Sequence, residues 1–237
     1  MAMRFRPTFW ATALALPALI VLLVLGTWQV QRLAWKNELI ETRTTRVQAA
    51  PVEPAALLAG GFDVSTVEYR PITVTGILRN DRAMVLLNRV RGGRVGGHLI
   101  VPLELADGRG TVIVDLGWMP LPALRAFAAG PDAGASVDGF VRAYVMPGYF
   151  VPANEPAANN WFFMHEAEML AAAGLSGPVG FYVQAGPAAS PPGAFPAGAL
   201  PEVNLRNSHL EYAVTWYALA AVLAVIFVVF HWRRDGT

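Results

Sequence analysis

Two long apolar runs dominate the pattern of hydrophobic and polar positions along the chain. They lie at residues 8–30 and 213–232, and each holds roughly 20 positions with no ionisable side chain apart from His231. A helix of about 20 apolar residues spans a hydrocarbon core of roughly 30 Å. The pattern therefore predicts two transmembrane helices, at residues 8–30 and 207–232, the second including an extension outside the membrane.

The first run differs from a secretory signal sequence, although Arg4 and Arg6 precede it. Its apolar core is longer than the roughly 7–15 residues of a signal sequence, and no cleavage pattern of small residues follows it. We therefore interpret it as an uncleaved membrane anchor.

Between the two runs, the hydrophobic pattern changes to the period of two that is typical of β-strands. The pattern predicts a β-rich domain with strands in a meander and one short helix at residues 166–173, which stops at Gly174. The predicted strands cover residues 69–78, 83–90, 98–105, 111–116, 137–145 and 180–184. Repeated Pro, Ala and Gly at residues 186–201 indicate a semi-extended linker back to the membrane.

These patterns divide the chain into segments whose side of the membrane can be predicted. The tails carry arginines, which favours the cytoplasmic side, whereas a long middle segment is translocated largely regardless of its charge. Four basic residues that directly follow the first span argue for the opposite orientation: Arg32, Lys36, Arg43 and Arg46. We predict a membrane protein with two transmembrane helices flanking a β-rich (α+β) extracytoplasmic domain. Its segments are cytoplasmic tails at 1–7 and 233–237, a juxtamembrane helix at 31–50 and the domain with its linker at 51–206.

Composition narrows the chemistry that the chain can perform. The sequence is 54% hydrophobic and 15% charged, and it contains no cysteine. The absence of cysteine excludes disulfides, thiolate metal sites and thiol nucleophiles. It also argues against a copper carrier, because the methionines that could replace cysteine as soft ligands are scattered.

Catalytic motifs are absent from the sequence. Neither HExxH nor Gly-x-Ser-x-Gly occurs, and no histidines have paired metal-ligand spacing. His165 is expected to be a partly exposed histidine at the start of a helix. We predict that the chain is not an enzyme. A membrane-tethered enzyme would become plausible if several of four side chains converged in one pocket: Asp115, Asp138, Glu155 and His165.

Residues 88–98 read NRVRGGRVGGH, in which arginines alternate with glycine pairs. Such a loop can hold phosphate or carboxylate with backbone donors. It lacks the ending of a nucleotide-binding loop, and a hairpin with solvated arginines is the simpler interpretation.

The sharpest candidate for function lies at the start of the second apolar run. His209, Tyr212 and Trp216 fall on one helical face, and alanines continue the same side, a spacing that permits close approach of another helix. An ionisable group beside lipid is a functional candidate, although a histidine there can also be a simple interfacial anchor. An imidazole beside aromatic faces suits a flat iron porphyrin.

The matching end of the first span carries an arc of aromatic and polar side chains. If its helix continues, one arc of about 120° holds Trp28, Gln29, Arg32, Trp35 and Lys36. One interpretation is an interfacial anchor of aromatic rings and long basic side chains. The alternative is that Arg32 and Lys36 pair with the carboxylates of a membrane ligand.

Four segments resemble the surfeit-locus family of cytochrome c oxidase assembly proteins. They read LGTWQVQRLAWKNELI at 25–40, VIVDLGWMP at 112–120, FVPANEPAANNWF at 150–162 and NSHLEYAVTWYALA at 207–220. The resemblance implies a non-enzymatic role in maturing haem-copper oxidases, in bacteria by binding haem a. It also implies that His209 is the ligand of the haem iron, because His209 stands at the position of the histidine in the family's closing motif. Gly26, Trp28 and Gln29 match the other motif, and Tyr212 and Trp216 match the aromatic residues around the histidine.

The leading hypothesis from the sequence is therefore an assembly factor that binds haem a transiently and assists its insertion into the catalytic subunit of the oxidase. The expected haem-binding residues are His209, Tyr212, Trp216, Trp28, Gln29, Arg32 and Lys36. The expected partners are that catalytic subunit, a haem a synthase and the membrane, with no nucleic acid. The expected location is a bacterial inner membrane, with the large domain in the periplasm. The alternative is a protein-only scaffold that holds an oxidase subunit without haem.

Overall fold

The computed structural model describes residues 3–59, 63–128, 130–203 and 207–234. The outermost residues of both predicted tails therefore lie outside the described part of the chain. The chain divides into two compact units, which are described separately below. One unit is the helix pair, Met1–Thr42 with Val203–Thr237, and the other is the sheet domain, Arg43–Glu202.

Two long helices form the first unit. Helix α1 spans Phe9–Gln48 and helix α5 spans His209–His231, and both are long and apolar enough to cross a membrane. Most of their side chains are exposed in the isolated chain, as expected for helices that face lipid. Two short strands, β1 (Met3–Phe5) and β9 (Trp232–Arg234), pair antiparallel where the two helices end. The prediction of two transmembrane helices flanking a β-rich domain is confirmed.

Small residues hold the two helices together. Ala213 and Ala220 on α5 and Gly26 on α1 are almost completely buried, whereas their larger apolar neighbours point outward. Lipid offers apolar side chains as good an environment as a second helix does, so membrane helices associate through close packing at small residues and through polar contacts. The spacing of alanines in the sequence therefore marks the contact face.

The sheet domain contains seven strands. Their bounds are β2 Pro71–Leu78, β3 Met84–Arg91, β4 Arg94–Leu105, β5 Thr111–Pro120, β6 Ala133–Arg142, β7 Asn160–Trp161 and β8 Pro178–Ala185. Three short helices lie between the strands: α2 Pro54–Leu58, α3 Leu121–Arg125 and α4 Glu166–Ala173. Every predicted strand is present, and α4 has the predicted bounds.

Five of the strands close into a ring. The order is β2-β6-β8-β5-β4, and the last residues of β2 return to pair with β4, where Gly76 lies opposite Leu105. Alternate residues of β2 are buried, including Ile72 and Val74, as the period of two predicted. β5 is buried on both faces because a second apolar cluster, around Trp161 and Met169, covers its outer side.

The predicted meander is only partly correct. β3, β4 and β5 are consecutive antiparallel neighbours, but β2 pairs with β6 and β4 rather than with β3. β8 enters between β5 and β6 and runs parallel to β5. These pairings join residues far apart in the chain, and local alternation carries no information about them.

The segment predicted as a linker at residues 186–201 packs against the sheet. Its backbone exchanges two hydrogen bonds with Trp118, both through Ala197, at 2.9 and 3.1 Å. The side-chain amide of Gln184 donates to Ala199 O, and the ring of Phe195 lies edge-on to that of Trp118. The segment is therefore part of the domain, because buried backbone polar groups that pair with a strand are fixed by it.

Candidate functional site

The predicted haem ligand and one of its predicted neighbours meet between the two helices. His209 Nδ1, at the start of α5, lies 2.7 Å from Gln29 Oε1 on α1. Gln29 is only 8% exposed, although the adjacent Trp28 is 48% exposed. A buried amide in an apolar surrounding is costly unless it is hydrogen-bonded, and His209 supplies the bond.

The two helices also come into close contact one turn before Gln29 on α1. A side chain at Gly26 would place its Cβ 2.8 Å from Tyr217 Cε1, so the tyrosine ring occupies the space that the glycine leaves. The hydroxyl of Tyr217 lies 3.1 Å from Thr27 Oγ1. Gly26, which the sequence places in one of the two motifs, thus sets how near the helices come.

The remaining predicted site residues are more exposed. Tyr212 is 56% exposed, and Trp216 and Lys36 are half-buried. The Arg32 guanidinium stacks on the Trp35 ring at 4.4 Å, on the exposed side of α1. The structure therefore joins His209 directly to Gln29. Among the described residues it shows no side-chain hydrogen bond or ring contact between His209 and the other predicted haem-binding residues, which are Tyr212, Trp216, Trp28, Arg32 and Lys36.

A further polar contact between the helices lies beside the pair and was not predicted. The Asn207 amide donates to Asn37 Oδ1 at 2.8 Å. Asn37 lies in the segment between the predicted arc and the domain, where the sequence showed only helical spacing. A search for amide side chains near both helix ends would have found this contact.

His231, at the opposite end of the helix pair, is completely buried. Its Nδ1–H donates to Phe227 O at 2.7 Å, and its Nε2 lies 3.1 Å from the Thr8 hydroxyl. The rings of Phe5 and Phe227 pack against it. Both nitrogens of His231 are thus in use, whereas His209 Nε2 has no hydrogen-bond partner among the described residues.

The sheet domain contains a histidine–carboxylate pair that the sequence analysis missed. His98 Nδ1 on β4 lies 2.7 and 2.9 Å from the two carboxylate oxygens of Asp115 on β5, and Asp115 also accepts from the Gly117 amide at 2.9 Å. Asp115 is nearly buried. The signal was the single acid inside the apolar strand sequence VIVDLGW, because such a carboxylate needs a buried partner.

The four side chains that would have indicated an enzyme do not converge. Asp138 accepts from the Thr73 hydroxyl, Glu155 accepts from the Asn160 amide, and His165 accepts from the Glu168 backbone. Asp115 binds His98 instead. No cluster of three metal-ligating side chains occurs among the described residues.

Residues 88–98 form a hairpin, as the simpler interpretation predicted. Gly92 and Gly93 adopt positive φ angles of 55° and 75° between Arg91 and Arg94, the geometry of a two-residue turn. Arg89 and Arg91 are not freely solvated, because they donate to backbone carbonyls of Phe162 and Ala197.

His165 and Glu166 hold helix α4 in place. His165 is the N-cap of α4, and its Nδ1 accepts from the Glu168 amide at 3.3 Å. Glu166 accepts from the Val179 and Gly180 amides at 2.9 and 3.0 Å and so ties α4 to β8. Burial nevertheless raises the pKa of the Glu166 carboxyl above its ordinary value, and burial likewise raises the pKa of the neighbouring Tyr144.

Comparison with known proteins gives consistent matches over most of the chain. The sequence profile of the SURF1 family matches residues 16–221. A SURF1-like protein of Monosiga brevicollis is 30% identical over 241 residues, which cover 96% of this chain and 88% of that protein. Surfeit locus protein 1 of Homo sapiens is 31% identical over 221 residues, with coverages of 86% and 71%. Surfeit locus protein 1 of Takifugu rubripes is 29% identical over 221 residues, with coverages of 86% and 89%. The chain therefore belongs to the SURF1 family.

Proposed function

We propose that this protein is a non-enzymatic assembly factor for a haem-copper oxidase. In this proposal it binds haem a transiently and assists its insertion into the catalytic subunit of the oxidase. The observation that carries the proposal is that His209, at the start of α5, has a hydrogen-bond partner on Nδ1 and none on Nε2 among the described residues. Membership of the SURF1 family also supports a role as an assembly factor.

The residues around His209 fit a haem. Imidazole is a common axial ligand of haem iron, and the chain offers no cysteine as an alternative. Tyr212 and Trp28 have exposed aromatic surface that the porphyrin plane can cover, and Trp216 is half-buried on the same helix. Haem a is here the cargo, whose redox chemistry belongs to the oxidase that receives it.

The basic side chains of α1 suit the carboxylates of such a cargo. Arg32 is exposed and held by its stacking on Trp35, and Lys36 lies one turn further along. In this proposal both side chains pair with the propionates, because charge-assisted hydrogen bonds are strong at the edge of a membrane. Contacts that remain partly exposed suit a carrier, since a cargo that must be released requires a sufficiently fast dissociation rate.

We further propose that the protein acts in a bacterial inner membrane with its sheet domain in the periplasm. Its partners would be the catalytic subunit that receives the haem and a haem a synthase that supplies it, with no nucleic acid involved. The long middle segment and the arginine-bearing tails support this orientation.

The test is purification of the protein from cells that make haem a, with variants prepared in parallel. Wild-type protein should contain haem a, and His209→Ala should lose most of it and the absorption of the ligated iron. His231→Ala is the matched control, because that histidine lies in the same helix but has both nitrogens in use. Equal haem content and equal spectra in wild type and His209→Ala would refute the ligand assignment.

A protein-only scaffold remains the second candidate, favoured by one observation on the sheet domain. A loop between β6 and β7 exposes Tyr149 and Phe150 to 95% and 94%, and Val145 and Met146 are also exposed. Exposed apolar side chains of this kind mark contact surfaces. The same purification separates the candidates, since a scaffold copurifies with the oxidase subunit and carries no stoichiometric haem.

A further inference from the structure

Gln29 is a buried polar side chain in an apolar helix pair, and its only hydrogen bond in the described structure is to His209. The bond joins Gln29 Oε1 to His209 Nδ1 over 2.7 Å. The neighbours Trp28 and Val30 are about half exposed, so the helix turns the amide inward and the apolar side chains outward. This placement shields the amide from ligands that approach from the lipid or the membrane surface.

The identity of the two atoms decides where the proton of the imidazole lies. A carbonyl oxygen only accepts hydrogen bonds, so Nδ1–H must be the donor. A neutral imidazole carries a single N–H, which leaves Nε2 with a free lone pair. A histidine whose second nitrogen is bonded in this way is also fixed in its ring orientation.

We propose that Gln29 is a positioning residue that holds His209 in the Nδ1–H tautomer and thereby keeps Nε2 open to a ligand. The assignment of the tautomer stands on the hydrogen bond alone, whereas its use in ligating haem iron rests on the function proposed above. In the opposite tautomer, a proton on Nε2 would block ligation. Gln29 thus acts through His209 and is not itself a haem contact.

The contact between the helices keeps this pair together. The ring of Tyr217 fills the space beside Gly26, one turn before Gln29, and Ala213, one turn after His209, is buried. The bond between the hydroxyls of Tyr217 and Thr27 adds a polar contact at the same level. Helices packed at small residues cannot separate without losing these contacts, so the amide stays within hydrogen-bond distance of the imidazole.

The second histidine of α5 shows what a closed site looks like. His231 Nδ1–H also donates to a carbonyl oxygen, but its Nε2 is taken by the Thr8 hydroxyl and its ring is completely buried. At His231 the Nδ1–H tautomer therefore holds a buried ring in place and leaves no nitrogen open to a ligand. At His209, Gln29 supplies an acceptor for Nδ1–H, whereas no described residue forms a hydrogen bond with Nε2.

The tautomer is measurable without haem. The full-length protein is prepared with ¹⁵N-labelled histidine in lipid nanodiscs at about pH 8, where imidazole is neutral, and the His209 signals are assigned by difference from His209→Ala. The wild type should show a protonated Nδ1 and an unprotonated Nε2. Gln29→Leu, which keeps the size of the side chain and removes the acceptor, should shift the population towards Nε2–H, and Gln29→Glu should restore Nδ1–H. Gln31→Leu is the matched control, because Gln31 is an exposed glutamine two residues away on the same helix.

An Nε2–H signal in the wild type, or an unchanged tautomer in Gln29→Leu, overturns the proposal. Measurements of haem binding then distinguish a failure of the positioning proposal from a failure of the proposed function. Where the wild type binds haem through His209, Gln29→Leu should lower the affinity about 10-fold or more, as for other residues that orient a metal ligand. Gln29→Glu should lower the midpoint potential, because a carboxylate draws the Nδ1 proton more strongly. If the wild type binds no haem, the proposed function fails and the tautomer assignment stands. If the wild type binds haem and Gln29→Leu binds it with the same affinity, the positioning role of Gln29 is refuted and the proposed function stands.

Discussion

At the scale of single residues, polar side chains in apolar surroundings differ in how many of their polar atoms have a hydrogen-bond partner. His231 is paired through both nitrogens, and Asp115 accepts from both His98 and the Gly117 amide. His209, in contrast, has a partner among the described residues on Nδ1 only. Paired groups stabilise the fold, because an unsatisfied buried polar atom costs about 1–3 kcal/mol. The open Nε2 of His209 is therefore the atom on which the proposed function depends.

The Asp115 carboxylate gives a stability prediction at this scale. Asp115→Ala removes the acceptor from both His98 and the buried Gly117 amide, and we expect it to lower the free energy of unfolding by about 2–4 kcal/mol. Asp115→Asn keeps one acceptor oxygen and should cost about half as much. Denaturant unfolding followed by tryptophan fluorescence measures both changes. Asp107→Asn, on an exposed turn of the same sheet, is the control and should change the stability by less than about 0.5 kcal/mol. Equal stabilities of Asp115→Ala and wild type would show that the pair does not support the fold.

At the scale of secondary-structure elements, the sequence predicts each element well and the contacts between elements poorly. Alternation identified β2, and length and hydropathy identified both membrane helices. The return of β2 to β4, the entry of β8 beside β5 and the packing of residues 186–201 were not predictable, because they depend on distant partners. From the sequence, the arc from Trp28 to Lys36 was expected at the same membrane surface as His209. The sequence could not select Gln29 as the partner, because only the packed helices show which side chain of the arc faces inward.

The connection between α4 and β8 gives a prediction on pH. Burial raises the pKa of Glu166 above its ordinary value of 4.5, so the folded protein binds the proton more tightly than the unfolded chain does. The resulting stabilisation is fully present below about pH 4.5 and is lost as the pH rises through the raised pKa. Glu166→Gln removes this dependence while keeping an acceptor for the Val179 and Gly180 amides.

We therefore expect the stability of Glu166→Gln relative to wild type to increase between about pH 4 and pH 7. Urea unfolding of the full-length protein in detergent at several pH values measures the difference. Glu168→Gln, in the same helix, controls for the loss of one negative charge. A difference that falls or stays constant with pH would show that the two amide bonds outweigh burial.

At the scale of the whole molecule, the pairing of β1 with β9 relates the two ends of the chain. Met3–Phe5 lies beside Trp232–Arg234, so the start of α1 adjoins the end of α5. Two membrane helices that adjoin in this way place Met3–Phe5 and Trp232–Arg234 on the same side of a membrane. The arginine-bearing ends favour the cytoplasmic side.

The proposed orientation, with the sheet domain in the periplasm, predicts a specific protease result. In spheroplasts of a bacterial host, added protease should digest the sheet domain and leave N-terminal and C-terminal tags protected until the membrane is permeabilised. A cytoplasmic marker protein controls for lysis. Digestion of either tag in intact spheroplasts, or protection of the domain, would contradict the orientation.

The closed ring of strands has a consequence for solubility in a crowded compartment. Strands with both edges paired offer no template on which another chain can add a strand, and unpaired edges are a common start of aggregation. In the described sheet, β4, β5, β6 and β8 have neighbours on both sides, and a bridge from Val52 covers the first half of β2. The second half of β3 lacks such cover and carries Arg89 and Arg91, whose charges oppose strand addition. The sheet domain is thereby protected from polymerising with other copies of itself.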